Sequence, residues 1–269
     1  MKYLAFLLCL LSTLLQAREI TACGHPEYPP VSWLEQGAVL QGTDLQRSSL
    51  QGIAPSVAKH LFAQLGYRLK IDISGNWERC LQEVKAGNID LVIAAYKTNT
   101  RRDFLDYSSE YMVVDPLSIF VNQQDKADYQ STADLQGKRV GLLLGDSFGD
   151  QFDLFLKNSA SREFVSKGKQ NLTKLAHQRI DFMPLGIISG QLQIEKFGFQ
   201  DQIKLTPLTI GTEHFYLALG KHSQLQQHLP FLNQSIKALK ENGQIKALQS
   251  CFNQRYLSEI NEVNCNVQP

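Results

Sequence analysis

The residues best suited to chemistry are Thr98 and Arg101, in Thr98-Asn-Thr-Arg101. A guanidinium is a planar fork that meets a carboxylate through two parallel hydrogen bonds. Thr98 adds a hydroxyl, and a helix N-terminus nearby would add N–H donors. Taken alone, the motif reads more simply as a solvated charge beside Arg102. Tyr28, Trp33 and Trp77 are candidates for flat pocket walls, since aromatic rings bury large areas at low entropy cost; packing in a core or loop is their plainer role. The six histidines (25, 60, 177, 214, 222 and 228) show no metal-ligand spacing, and no cysteine pair is C-x-x-C. No Ser-His-Asp elbow, phosphate-binding loop or zinc helix is present, so neither cofactor nor metal is expected.

These residues fall at the ends of elements that the hydrophobic pattern predicts. Glu19–Cys23 reads as a short strand stopped by Pro26, Pro29 and Pro30. Val57, Leu61 and Leu65 mark a helix that opens near Pro55 and ends at Gly66. Tyr67–Ile73 alternates as a strand, Trp77–Ala86 is helical, and Ile89–Ala95 suits a strand buried on both faces. The rhythm then repeats. Arg139–Leu144 is a buried strand, Gly145–Gly149 a turn, and a helix runs to about Lys157. Asn171–His177 reads as helix, Ile180–Met183 as strand, Ile187–Phe197 as helix and Phe215–Leu219 as strand. Leu232, Ile236 and Leu239 mark a last helix ended by Asn242-Gly243. Strands alternating with helices predict an α/β fold with mainly parallel sheets. The length fits two units of roughly 100 residues each. Ligands of such sheets bind beyond the carboxyl ends of the strands. That singles out loops 24–33, 74–77, 96–101, 145–149 and 184–187.

Composition narrows the class. The 269 residues are 43% hydrophobic, with 27 basic and 26 acidic side chains, which excludes a disordered chain and gives no basic excess for nucleic acid. Residues 1–17, MKYLAFLLCLLSTLLQA, have the charged, apolar, small-residue order of a secretory signal, too short to span a bilayer comfortably. The mature chain would start near Arg18. Four cysteines remain, Cys23, Cys80, Cys251 and Cys265, and an even number in an oxidising compartment suggests disulfides. Cys251 and Cys265 would staple the tail and Cys23 and Cys80 would then pair. Three pairings are possible, and sequence does not choose among them.

The order of motifs resembles a known family. Tyr28-Pro-Pro, Gly52 before a helix, Leu65-Gly66, Trp77 opening a helix, Ala86-Gly87-Asn-Ile-Asp90, Thr98-Asn-Thr-Arg101 and Leu105-Asp106-Tyr107-Ser108 follow one another. Gly137-Lys-Arg-Val-Gly141, Gly145-Asp-Ser-Phe-Gly149 and Arg179-Ile-Asp181 come later. The series resembles the extracytoplasmic solute-binding proteins, family 3, of amino-acid ABC transporters. The resemblance implies a two-lobe clamshell of the type II kind. Lobe one would be 18–121 plus 214–269, and lobe two 122–213. The hinge would lie at 119–122 and 209–216.

The resemblance also assigns roles. Arg101 and Thr98 would hold a ligand carboxylate, Tyr28, Trp77 and Trp33 would wall it, and Ser147 would reach it from lobe two, unless Ser147 is only a helix N-cap. A helpful hydroxyl of the family falls at Tyr96. The family's second-lobe carboxylate, which meets the ligand ammonium, falls at Gly186, and the acid after Gly52 is replaced by Ala54 or Ser56. Asp146, Glu27 or Glu213 would have to substitute. Cys80 stands where the family places an apolar, ligand-facing side chain, so a Cys23–Cys80 bond would stiffen the floor of the site. The implied function is capture of a small, carboxylate-bearing, amino-acid-like solute in the periplasm by a monomer that a permease or membrane sensor reads. The alternatives are a sensor or adaptor lobe with a degenerate cleft and, more remotely, a cyclohexadienyl-dehydratase-like enzyme needing a general acid of raised pKa.

Overall fold

The computed structural model describes residues 18–35, 49–73, 75–258 and 264–268. The stretch 1–17, where a secretory signal is expected, lies outside the described residues. The chain opens with β1 (Arg18–Cys23), β2 (Glu27–Tyr28), β3 (Ser32–Glu35) and β4 (Ser49–Gln51). Helix α1 (Ile53–Gln64), β5 (Tyr67–Ile71), α2 (Trp77–Lys85), β6 (Leu91–Ala95) and the single turn α3 (Asn99–Arg102) follow. Next come β7 (Leu105–Asn122), β8 (Arg139–Leu143), α4 (Asp150–Ser159), β9 (Ser161–Val165) and α5 (Gly168–Ala176). The chain continues through β10 (Phe182–Gly186), α6 (Ile187–Phe197), β11 (Ile203–Gly220), α7 (Leu229–Glu241) and α8 (Gln244–Leu257).

Eight strands run in the order β5-β1-β6-β11-β7-β10-β8-β9. Pairings among β5, β1 and β6, and among β10, β8 and β9, are parallel. The antiparallel pairings of this sheet all involve β7 or β11. These two strands, each 18 residues long, belong to both halves of the molecule. β11 pairs with β6 over 216–219, and β7 pairs with β10 over 117–121. β7 keeps β11 beside it along its length and adds β10 on its other edge from Leu117 onward. The α/β, two-lobe, mainly parallel architecture is that of type II periplasmic binding proteins.

Local chemistry explains the elements that carry the site. All five residues of β6 are buried, as a central strand covered on both faces requires. In α2, Trp77, Cys80, Leu81 and Val84 recur at helical spacing and are buried. The Asn76 side chain accepts the Arg79 N–H at 3.0 Å and starts this helix. Each half also pins its strands with an aspartate. Asp90 accepts from the backbone and hydroxyl of Thr21 at 2.7 and 2.8 Å. Asp181 accepts from the backbone of Arg139 at 2.7 Å and from its guanidinium at 2.6 Å.

Several elements differ from the pattern reading. The strand expected at 180–183 is β10, two residues later, because Ile180-Asp181 form the turn that delivers Asp181 to Arg139. Helix α5 starts at Gly168 rather than Asn171. Phe215–Leu219 is only the end of β11. Strand β9 and helix α8 were not expected. β9 is an edge strand burying only Val165, and α8 buries just Ile245, Leu248 and Phe252, so neither carries a clear periodic signal.

Both expected disulfides are present, Cys23–Cys80 with Cα atoms 5.7 Å apart and Cys251–Cys265 at 5.8 Å. The first ties the end of β1 to α2, one turn from Trp77. Chain entropy assigns about 4 kcal/mol to closing its 57-residue separation and about 3 kcal/mol to the 14-residue tail loop. Urea unfolding of C23S/C80S and of C251S/C265S should show losses of that order, larger for the first pair.

Candidate functional site

Arg101 turns inward. It is 6% exposed and stands at the end of α3, where Thr98 caps the turn by accepting the Arg101 N–H at 3.2 Å. One guanidinium nitrogen donates to the Tyr96 carbonyl at 3.1 Å. Another donates to the Gly145 carbonyl at 2.8 Å, on the opposite half of the molecule. The Trp77 ring lies beneath, 5.4 Å from the guanidinium carbon, in cation–π range. Gly145 can approach this closely because it lacks a side chain. Its φ is +87°, and a Cβ there would meet the Glu78 backbone at 2.8 Å.

Four further contacts cross between the halves at the same level. His25 follows β1, and its Nε2 donates to Asp146 at 3.0 Å while its Nδ1 accepts the Glu27 N–H. The second bond leaves the proton on Nε2. The Glu27 carboxylate accepts the Gly168 N–H at the start of α5. Asp150, at the start of α4, accepts the Asn99 N–H at 3.2 Å. The Gln193 amide donates to the Glu27 carbonyl at 3.4 Å. His25 packs at 5.1 Å from Trp77 and edge-on to Tyr28 at 5.6 Å. Beside His25 and Tyr28 lies a small cavity of about 20 Å³, lined also by Glu27, Asp146, Phe148 and Asn171 among others.

A second polar centre sits behind Tyr28, whose hydroxyl donates to Glu213 on β11. Asp115 on β7 accepts the N–H groups of Ile188 at 3.0 Å and Ser189 at 3.1 Å, which open α6. Burial pushes the Asp115 carboxyl up to about 6, against those bonds. Burial, then the neighbouring Asp146 and Asp115 charges, hold Glu213 well above the carboxylate range, against its bond from Tyr28. Burial also raises the Glu27 carboxyl, opposed by its Gly168 bond.

The structure thus brings together Arg101, Thr98, Tyr96, Trp77, Tyr28 and Asp146 from the sequence expectations. Tyr96 contributes its carbonyl to Arg101, and its ring lies against Gly149. Two expected residues are engaged elsewhere. Trp33 packs edge-on to Phe252 and Tyr256, away from Arg101, because β3 faces α8 at that point. Ser147 donates its hydroxyl to Asp153 in the turn before α4. Cys80 lies in its disulfide beside a cavity of about 10 Å³. His25, Asp115 and Asn171 were missed. Asp115 had a signal, the lone charge in the largely apolar stretch 112–121. Gly186 makes room for this centre, since a Cβ there would stand 2.1 Å from Asp115 Oδ2 and 2.2 Å from the Tyr28 hydroxyl.

The model of the bacterial extracellular solute-binding proteins, family 3, matches residues 20–255. The chain belongs to that family. No curated protein matches it. Among solved structures, an amino acid ABC transporter substrate-binding protein from Streptococcus pneumoniae, bound to L-arginine, matches with a TM-score of 0.74 at 20% identity, over 90% of this chain and 97% of that one. Holo ArgBP from T. maritima matches with 0.67 at 17%, over 82% and 90%. A histidine kinase sensor domain with similarity to periplasmic binding proteins matches with 0.70 at 16%, over 87% and 96%. At these identities the likeness is one of fold. Among the described residues of this family 3 protein, no helix is long and apolar enough to cross a membrane.

Two measurements probe the second polar centre. Gly186 has an ordinary φ of −58°, so the cost of G186A is purely one of packing, about 1–3 kcal/mol, readable as a fall in the urea midpoint. Asp115 is the reverse of a stabilising carboxylate. Its folded-state pKa of about 6 lies above the ordinary 3.8, so it contributes nothing at low pH and lowers stability as pH rises from 4 to 6, by about 3 kcal/mol at neutrality. Urea unfolding across that window should show a shallower pH slope for D115N than for the wild type.

Proposed function

We propose that this protein captures a small, carboxylate-bearing, amino-acid-like solute between its lobes and closes on it by hinge motion. Arg101 carries this reading. It is a buried guanidinium on lobe one that reaches a carbonyl on lobe two over an indole face. Among the described residues its guanidinium hydrogen bonds run to carbonyls, and an entering carboxylate is a natural competitor for those donors. Trp77 and Tyr28 wall the cleft, and Tyr96, Asp146 and Thr98 complete its rim.

The lobes in this reading are 18–121 with 214–269, and 122–213, and the hinge is the crossing of β7 and β11. The leader would export the chain to the periplasm, where a closed monomer is recognised by a membrane permease. The fold is shared with a sensor domain of a histidine kinase, so a membrane sensor is the second reading of the partner. Binding rather than catalysis is favoured by how the cleft acids are engaged. Asp115 is tied to α6 and Glu213 to Tyr28.

Mass spectrometry of solute released on denaturing the purified protein tests the reading. A released acid supports it; a solute with no acidic group defeats it. With that solute in hand, R101K keeps the charge and loses the fork. Loss of one charge-assisted bond, about 1.5–3 kcal/mol, should weaken binding about ten- to a hundredfold in titration calorimetry. Equal affinity for R101K and wild type would remove Arg101 from the role.

A further inference from the structure

β7 and β11 stay paired while their outer neighbours change, β6 beside β11 at 216–219 and β10 beside β7 at 117–121, and a matched pair of acids lies between those two ends. Asp115 and Glu213 are register partners. Directly opposed residues of antiparallel strands project from the same face, with Cβ atoms about 4.5–5.5 Å apart. Both residues are buried, at 1% and 4% exposure. Tyr28 on β2 donates to Glu213, and its hydroxyl and Asp115 Oδ2 flank the single point above Gly186 that a methyl group would fill. Three oxygens from lobe one and the two crossing strands therefore crowd together where the lobes meet.

The charges around this centre do not neutralise two carboxylates. The start of α6 offers Asp115 its N–H groups. Glu213 is faced by the Tyr28 hydroxyl from β2, Asp115 from β7, Tyr96 after β6 and Asp146 before α4. His25, beside Tyr28, directs its Nε2 to Asp146. Arg101 of α3 is the cation that acts on Glu213, and its guanidinium bonds run to the carbonyls of Tyr96 and Gly145. Adjacent carboxylates in a dry site do not both ionise.

We propose that the closed protein holds one proton on the Asp115–Glu213 pair, and that this proton keeps the lobes shut. Opening draws Tyr28 away from the crossing strands and hydrates the acids, which then release the proton to solvent. Burial raises both carboxyls in the closed form, in keeping with this exchange. The closed form binds one proton more than the open form, so raising the pH favours opening. For a single proton, the closed-to-open ratio falls about tenfold per pH unit from the pH at which the open-form carboxyls have ionised up to the pH at which the closed pair itself ionises.

The inference rests on the hinge proposed above, and one experiment separates the two. Lys85 on α2 and Lys157 on α4 are exposed and lie on different lobes. Spin labels on K85C/K157C, in the ligand-free mature chain, report the distance between lobes by double electron–electron resonance. Between about pH 5.5 and 8.5 the shorter distance should give way to a longer one, and E213Q, which keeps an acceptor for Tyr28 but carries no proton to lose, should hold the short distance throughout. Two distances in pH-independent proportion, or an E213Q that opens as the wild type does, would overturn the proton pair. One fixed distance at every pH would overturn the hinge and the pair together. The protonated carboxyl C=O stretch gives a second readout in the infrared, on unlabelled wild type and D115N. The band should vanish as the wild type opens, and a wild type with no such band at about pH 6 also overturns the proposal.

Discussion

The long antiparallel ladder between β7 and β11 is the constraint on which the rest of this molecule depends. Among the described residues it is the ladder that runs through both halves, and each half-sheet completes itself on a different end of it. Because the strands are paired through the crossing, the halves cannot slide along each other. The hinge proposed above is a turn about this shared ladder. Every residue of interest is placed by this. Arg101, Trp77 and Tyr28 come from one side of the crossing, Gly145, Asp146 and Gly168 from the other, and Asp115 and Glu213 from the crossing itself.

A buried guanidinium demands partners, since an unpaired charge out of water costs several kcal/mol. Arg101 finds them in two carbonyls and an indole face rather than in a carboxylate. Those partners compensate without cancelling the charge. The supports behind them are covalent or steric. A disulfide fixes α2 and so Trp77. A glycine with positive φ lets the Gly145 carbonyl come within reach against the Glu78 backbone. The acids of the site are bonded mainly to backbone N–H groups, a histidine or a hydroxyl, and burial raises the carboxyls of Glu27, Asp115 and Glu213.

Much of this was legible from residue pattern. Apolar runs gave β6 and β8, helical spacing gave α1, α2, α6 and α7, and the order of short motifs gave the family and the inward Arg101. What was hidden was non-local. The 18-residue strands cannot be read from a window, because their polar residues alternate between two different half-sheets and a crossing. Trp33 packs against α8, a helix whose weak periodicity gave no warning of that contact. Gly186 looked like a deletion in the site. Its meaning appears only with Asp115 and Tyr28 beside it, residues 71 and 158 positions away in the chain.

The strand order has a consequence for how the polypeptide matures. β11 occupies the slot between β6 and β7, both of which precede it by some eighty or more residues in the chain. A growing polypeptide that has reached α6 has two bare strand edges where that slot will be, and its central sheet cannot close until residues 203–220 arrive. Closing loops of that length is entropically slow, and exposed edges meanwhile invite wrong partners. A chain built this way completes its central sheet only when its last long strand arrives.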